Sequence, residues 1–256
     1  MDLGLQGGKA IVTGASRGIG RRIAELLAEE GCDIALCARA DSRVADAVES
    51  LEKRGVRAFG SALNVRDGER YVQWLSEARE ALGGVDLFIA NVSAGGGMDG
   101  KDSERDWYRN FEIDVLAAVR GCELLADAMK DSSRAAIVMI GEALSGEAFG
   151  PPLAYNALKS ALATHAKQLS HALAPSGIRV NAMAPGPAAF EGSRWEMLEY
   201  ADPKLYNATV RQHPSRRLST ADEIARYAVF LASPAASWVN GTQIPVDGGF
   251  SQRIGF

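Results

Sequence analysis

Short apolar runs alternate with longer amphipathic stretches from one end of the chain to the other. The runs at 10–13, 33–38, 56–62, 85–90, 135–140 and 178–184, with a last one near 243–246, are rich in Val, Ile, Ala or Phe and bounded by Gly, Asp or Asn. Short, continuously apolar segments of this kind predict strands buried on both faces. Between them, residues 19–30, 42–54, 68–82, 103–129, 154–173 and 221–231 carry the apolar spacing of helices. Strand–helix alternation over the whole length predicts a doubly wound, mostly parallel seven-stranded α/β sheet with helices on both faces. No Pro/Ser-rich linker or internal repeat divides the chain, so one domain is expected over 1–256.

The segment from 185 to 217 interrupts the pattern. It opens on Pro-Gly-Pro, shows no clean strand periodicity and contains Phe190, Trp195, Tyr200 and Tyr206. Ligands of open α/β sheets bind beyond the C-terminal ends of the strands, so residues 186–217 read as a substrate lid. The plainer alternative is a surface excursion whose aromatics pack its own helices.

Composition narrows the field. With 256 residues, 47% of them hydrophobic, the chain can bury one sizeable core. The net charge of −4 is spread without a basic block, which argues against a nucleic-acid partner. No apolar run approaches the roughly 20 residues of a bilayer span, and no polybasic amphipathic helix suggests a membrane surface. The N-terminal stretch has no basic region, long apolar run or cleavage site, so a cytoplasmic protein is expected. Cys32, Cys37 and Cys122 lie in apolar stretches and read as buried thiols. His165, His171 and His213 show no metal-ligand spacing, so no metal is expected.

The first strand runs into Thr13-Gly14-Ala15-Ser16-Arg17-Gly18-Ile19-Gly20 and then directly into a helix. Gly14 permits the tight turn, Gly18 lets backbone approach a phosphate, and Gly20 lets helix and strand pack closely. The helix N-terminus then offers free N–H groups and a partial positive charge to a pyrophosphate. Beyond the second strand, where a carboxylate would bind a ribose 2′-hydroxyl, stands Arg39. With Arg17 it suits a 2′-phosphate and favours NADP over NAD, unless Arg39 is only a solvated loop charge.

Tyr155 and Lys159 are four apart on a helical stretch and share a face. An ammonium beside a phenol stabilises the phenolate and is expected to lower its pKa. These residues carry a resemblance. The glycine turn resembles the TGxxxGxG of the short-chain dehydrogenase/reductase family, and Tyr155–Lys159 its Tyr-x-x-x-Lys. Asp86, Arg179-Val180-Asn181, Pro185-Gly186 and Val246-Asp247-Gly248-Gly249 are similar in order and place. The resemblance implies a Rossmann-type fold and a homotetramer (or homodimer), with the helices around Asp114 and Tyr155 packing between subunits. Leu162, Ala166, Leu169 and Leu173 would supply an apolar flank compatible with that, though the same stripe could serve the core alone. It also implies that Asn64 and Val65 flank the adenine, that Asn91 approaches the adenosine ribose, and that Ser16, Ile19, Pro185, Gly186 and Ala188 line the cofactor. Tyr155 would pass a proton to or from substrate oxygen, and Lys159 would hold the nicotinamide ribose.

Two positions depart from the family. Thirteen residues before Tyr155, where a serine is expected, stands Glu142; where an asparagine is expected stands Asp114. A donor at the first place stabilises charge developing on oxygen, whereas an ionised carboxylate repels it. Glu142 would fit if protonated, if Ser145 or Ser93 replaced the missing hydroxyl, or if the substrate were a cationic iminium; it could also turn to solvent or pair with an arginine. Asp114 would relay protons or position Lys159. The expected function is an NADP(H)-dependent oxidoreductase acting on a carbonyl or alcohol, 3-oxoacyl-reductase-like or specific for a small apolar or aromatic ketone. Imine reduction, a non-redox reaction and a catalytically silent dinucleotide-binding protein are the alternatives.

Overall fold

The computed structural model describes residues 1–95, 101–147 and 152–253. In chain order the first half holds β1 (Lys9–Thr13), α1 (Gly18–Glu29), β2 (Asp33–Ala38), α2 (Asp41–Glu52), β3 (Ala58–Ala62), α3 (Gly68–Leu82), β4 (Leu87–Ala90), α4 (Glu104–Asn110) and α5 (Ala117–Met129). There follow β5 (Ala136–Ile140), α6 (Ala154–Leu173), β6 (Arg179–Pro185), β7 (Ala188–Ala189), α7 (Arg194–Ala201), α8 (Pro203–Gln212), β8 (Ser219–Thr220), α9 (Ala221–Ala232) and β9 (Gln243–Val246). Seven strands form one sheet in the order β3-β2-β1-β4-β5-β6-β9, and every pairing is parallel. The order reverses between β1 and β4, which opens a crevice at their C-terminal ends.

Alternate strand residues point to opposite faces, and the core accordingly splits into two layers. Ala10, Val12, Leu87, Ile89 and Val138 pack with Ile23, Leu27, Leu51 and Ile224 from α1, α2 and α9. Ile11, Phe88, Ile137 and Met139 pack with Trp74, Leu75, Leu125 and Leu162 from α3, α5 and α6. Where Phe88 meets α5, a Cβ on Gly121 would collide with its ring, so that glycine sets how closely helix and sheet approach. The strand expected at 85–90 begins only at Leu87. Asp86 before it is occupied as a brace, accepting from Lys9 N at 2.8 Å and Ser132 Oγ at 2.5 Å.

Two expectations need correction, and one open choice is decided. The helix read as continuous over 103–129 is α4 and α5 joined by one wide π-helical stretch, Phe111–Leu116. The inserted residue shifts the helical phase, and Asp114 within it turns inward to 2% exposure. The segment 186–217, read as lacking strands, includes β7, which pairs in parallel with β8. Of the two readings of the α6 apolar flank, the core is the one observed within the protomer. Leu162 and Ala166 are buried, and Leu169 and Leu173 pack on the same core.

The three cysteines are free and buried, and burial pushes each thiol up to about 12. Among the described residues no helix is long and apolar enough to cross a membrane, and no cluster of His, Cys, Asp or Glu is arranged to hold a metal.

Candidate active site

The turn between β1 and α1 is shaped by its contacts. Gly14 (φ +67°) and Ala15 donate backbone hydrogen bonds to Cys37 O of β2, at 2.8 and 3.3 Å. Asn91, just beyond β4, donates its side-chain amide to Thr13 O at 2.9 Å and Gly14 O at 3.1 Å. The amide thus braces the turn from beneath. A Cβ on Gly20 would strike that amide. Among the described residues no side chain caps α1, and its first turn carries no acidic residue. Its N–H groups and dipole thus stay available to an anion.

The other cofactor candidates gather at the same edge of the sheet. Ser16, Arg17, Gly18 and Ile19 belong to the turn; exposed Arg39 follows β2; exposed Asn64 and buried Val65 follow β3. Pro185 ends β6, Gly186 follows it, and Ala188 lies in β7. An uncapped helix start and two exposed guanidiniums fit a phosphorylated dinucleotide. Phe190 is named in the lid by the sequence, but its contact is not: its ring lies against Gly18 so closely that a Cβ there would collide. Arg17 adds a hydrogen bond to Gly192 O at 2.7 Å. Both contacts span more than 170 residues of chain, beyond the reach of local pattern. Of the remaining lid aromatics, Tyr200 is exposed.

Two residues beyond β5, Glu142 caps a short 3-10 turn over Ala143–Gly146. Its Oε1 lies 3.5 Å from Leu144 N, and the Tyr155 phenol donates to its Oε2 at 3.4 Å. Glu142 and Tyr155 are both half-buried, and Glu142 reaches the phenol rather than an arginine. Burial pushes the Glu142 carboxyl up to about 7, against the opposing pull of Leu144 N–H and the Lys159 charge.

Lys159 is buried behind the phenol, its Nζ 5.7 Å from the ring centroid. The ammonium donates to Ile140 O at 2.8 Å and pairs with Asp114 Oδ1 at 3.0 Å. Asp114 Oδ2 also accepts from Ala94 N at 3.2 Å. The expected lowering of the Tyr155 pKa is not found: burial, then Glu142 and Asp114, hold the phenol well above its usual value.

Of the two candidate replacement hydroxyls, Ser93 is in hydrogen-bonding reach of the phenol. Ser145 is turned away, its hydroxyl accepting from Gln243 Nε2 at 3.3 Å and its carbonyl accepting from Ser160 Oγ. The site therefore offers a protonated phenol, a carboxyl titrating near neutrality and a fixed ammonium beside a phosphate-sized cradle. That is a set for moving a proton at an oxygen next to a bound dinucleotide.

Known proteins match this chain along nearly all its length. A family model described as enoyl-(acyl carrier protein) reductase matches residues 14–251. Isoepoxydon dehydrogenase of Penicillium expansum is 35% identical over 97% of this chain and 96% of its own. The 3-oxoacyl-(acyl-carrier-protein) reductase of Vibrio cholerae is 31% identical over 96% and 98%. Among solved structures, L-sorbose reductase from Gluconobacter frateurii, complexed with NADPH and L-sorbose, superposes with a TM-score of 0.89 at 30% identity, covering 99% of this chain and 100% of that one.

Proposed function

The chain belongs to the short-chain dehydrogenase/reductase family and is an oxidoreductase, and from that premise we propose that it reduces a carbonyl group to an alcohol at the expense of NADPH. The observation that carries this reading is the placement of Tyr155: its phenol stands 3.4 Å from Glu142 with the Lys159 ammonium behind its ring, where it can hand a proton to an oxygen. Reduction needs that donor, whereas alcohol oxidation needs a base.

Arg17 and Arg39 would hold the 2′-phosphate, the glycine turn and the start of α1 the pyrophosphate, and Lys159 the nicotinamide ribose. When bound, the reduced nicotinamide supplies hydride to the carbonyl carbon. Tyr155 then gives its proton to the oxygen. Asp114 fixes the Lys159 ammonium, and residues 186–217 close over the substrate as a lid. The preference for NADP is supported by the paired guanidiniums and by the NADPH in the L-sorbose reductase complex.

Activity is tested by NADPH oxidation against a panel of ketones with wild type and Tyr155→Phe. The variant should bind NADPH as before and lose about 10²–10⁴ of the rate, the usual contribution of a general acid. Activity retained within about threefold would place the proton source elsewhere. A second reading, imine reduction, is favoured by the excess of carboxylates around the phenol; preferential turnover of cyclic imines in the same panel would select it.

A further inference from the structure

Resting on the carbonyl-reduction reading, the question left by Glu142 is what a carboxylate does where charge builds on oxygen. The Tyr155 phenol and Glu142 Oε2 are 3.4 Å apart, both half-buried, one from the start of α6 and the other from the turn that follows β5. Behind them the buried Lys159 is committed to Ile140 O and Asp114. Ser145, the nearer hydroxyl in sequence, is committed to Gln243 and α6. A carbonyl oxygen bound by the phenol therefore lies within a hydrogen-bond length or two of a carboxylate oxygen. Two acceptors then face each other, a costly arrangement in a half-buried site.

One substrate feature removes the conflict. A hydroxyl on the carbon next to the carbonyl places a second oxygen about one hydrogen-bond length from the first, the same spacing as phenol and carboxylate. We infer that Glu142 selects α-hydroxy ketones, accepting a hydrogen bond from the substrate's neighbouring hydroxyl while Tyr155 donates to its carbonyl oxygen. The step balances: hydride from the reduced nicotinamide forms the C–H bond, and the proton leaving Tyr155 forms the O–H bond. The product is a vicinal diol, whose original hydroxyl keeps its proton throughout.

The groups facing the Glu142 carboxyl are the Tyr155 phenol, the Lys159 ammonium and the Ala143 and Leu144 backbone N–H groups, with Asp114 on the far side of Lys159. Burial pushes the carboxyl up to about 7. Below that it is a donor and serves a plain ketone; above it, only a hydroxyl-bearing ketone satisfies it. Preference should therefore grow with pH.

The test compares 3-hydroxybutan-2-one with butan-2-one, each with NADPH, from about pH 5.5 to about pH 8.5, a range spanning the titration. The kcat/KM ratio should favour the hydroxy ketone by about tenfold or more at the alkaline end, the worth of a charge-assisted hydrogen bond. It should shrink toward the acid end. In Glu142→Ala the ratio should stay flat and small at every pH. A calorimetric arm needs neither turnover nor the variant: butane-2,3-diol should bind the wild-type NADPH complex about tenfold tighter than butan-2-ol at the alkaline end, and less so at the acid end. A pH-independent ratio near one in both arms overturns the inference and leaves carbonyl reduction standing, with Ser93 as the donor. Binding of NADPH with no turnover of either ketone overturns carbonyl reduction, and the diol titration then decides the Glu142 contact alone.

Discussion

Arg39 and Glu142 show how far single residues depart from expectation in this site. Arg39 is exposed directly after β2, at the place where the adenosine ribose of a doubly wound sheet is bound. Arg39→Asp replaces an attraction for the 2′-phosphate with a repulsion. The NADPH-to-NADH affinity ratio should fall about tenfold or more, since a charge-assisted hydrogen bond contributes roughly 1.5–3 kcal/mol. Titration of both cofactors by fluorescence measures it, and an unchanged ratio removes Arg39 from the cofactor site. Glu142 differs in that its type was visible in the chain but its state was not. A carboxyl half-buried against a phenol acquires a pKa near neutrality from burial, opposed by groups of the 143–146 turn and α6.

Among elements, the excursion from β7 through α8 depends most on remote contacts. Phe190 rests on Gly18, Arg17 holds Gly192 O, and Gly192 N in turn donates to Glu196 Oε2 at 2.5 Å. Ser193 caps α7 and Asp202 caps α8, so both helices start where their side chains can receive a free N–H. Removing the Phe190 ring should leave those caps intact but free the excursion from the glycine turn. Phe190→Ala should speed limited proteolysis within residues 188–217 by about tenfold, the effect of losing on the order of 1.4 kcal/mol of local apolar contact. Cleavage at the wild-type rate would show that the ring does not hold the segment down.

For the molecule as a whole, the Lys159–Asp114 pair ties α6 to the stretch between α4 and α5 within one helical layer. Both side chains are almost fully excluded from solvent, so deleting one partner strands the other as a buried charge. Asp114→Ala should lower global stability by about 3–5 kcal/mol in urea denaturation, with Asp114→Asn losing less because it retains an acceptor. A loss below about 1 kcal/mol would place the pair outside the structural framework. The other long-range anchor is Asp247, which accepts from Gly249 N at 3.0 Å and Ser251 N at 2.9 Å and packs against Gly186. The Val-Asp-Gly-Gly motif thus joins the end of β9 to the start of the lid.

The sheet, its parallel sense and the glycine turn were legible in the chain because they rest on local causes. Apolar runs of strand length separated by amphipathic helices have few other ways to bury both faces, and glycine's conformational freedom belongs to the residue itself. The Tyr155–Lys159 pairing was legible too, since four residues on a helix always share a face. Only the tertiary structure decided the rest. It inserted a π-helical stretch that turns Asp114 onto Lys159. It set Phe190 on a turn far away in sequence and drew the 162–173 flank into the core. It also reversed the expected direction of the Tyr155 pKa, because that value sums burial and the charges of Glu142 and Asp114, carried by separate segments. Local pattern fixes what each residue can do alone, whereas electrostatics in a low-dielectric cleft depends on which distant groups the fold brings within a few ångströms.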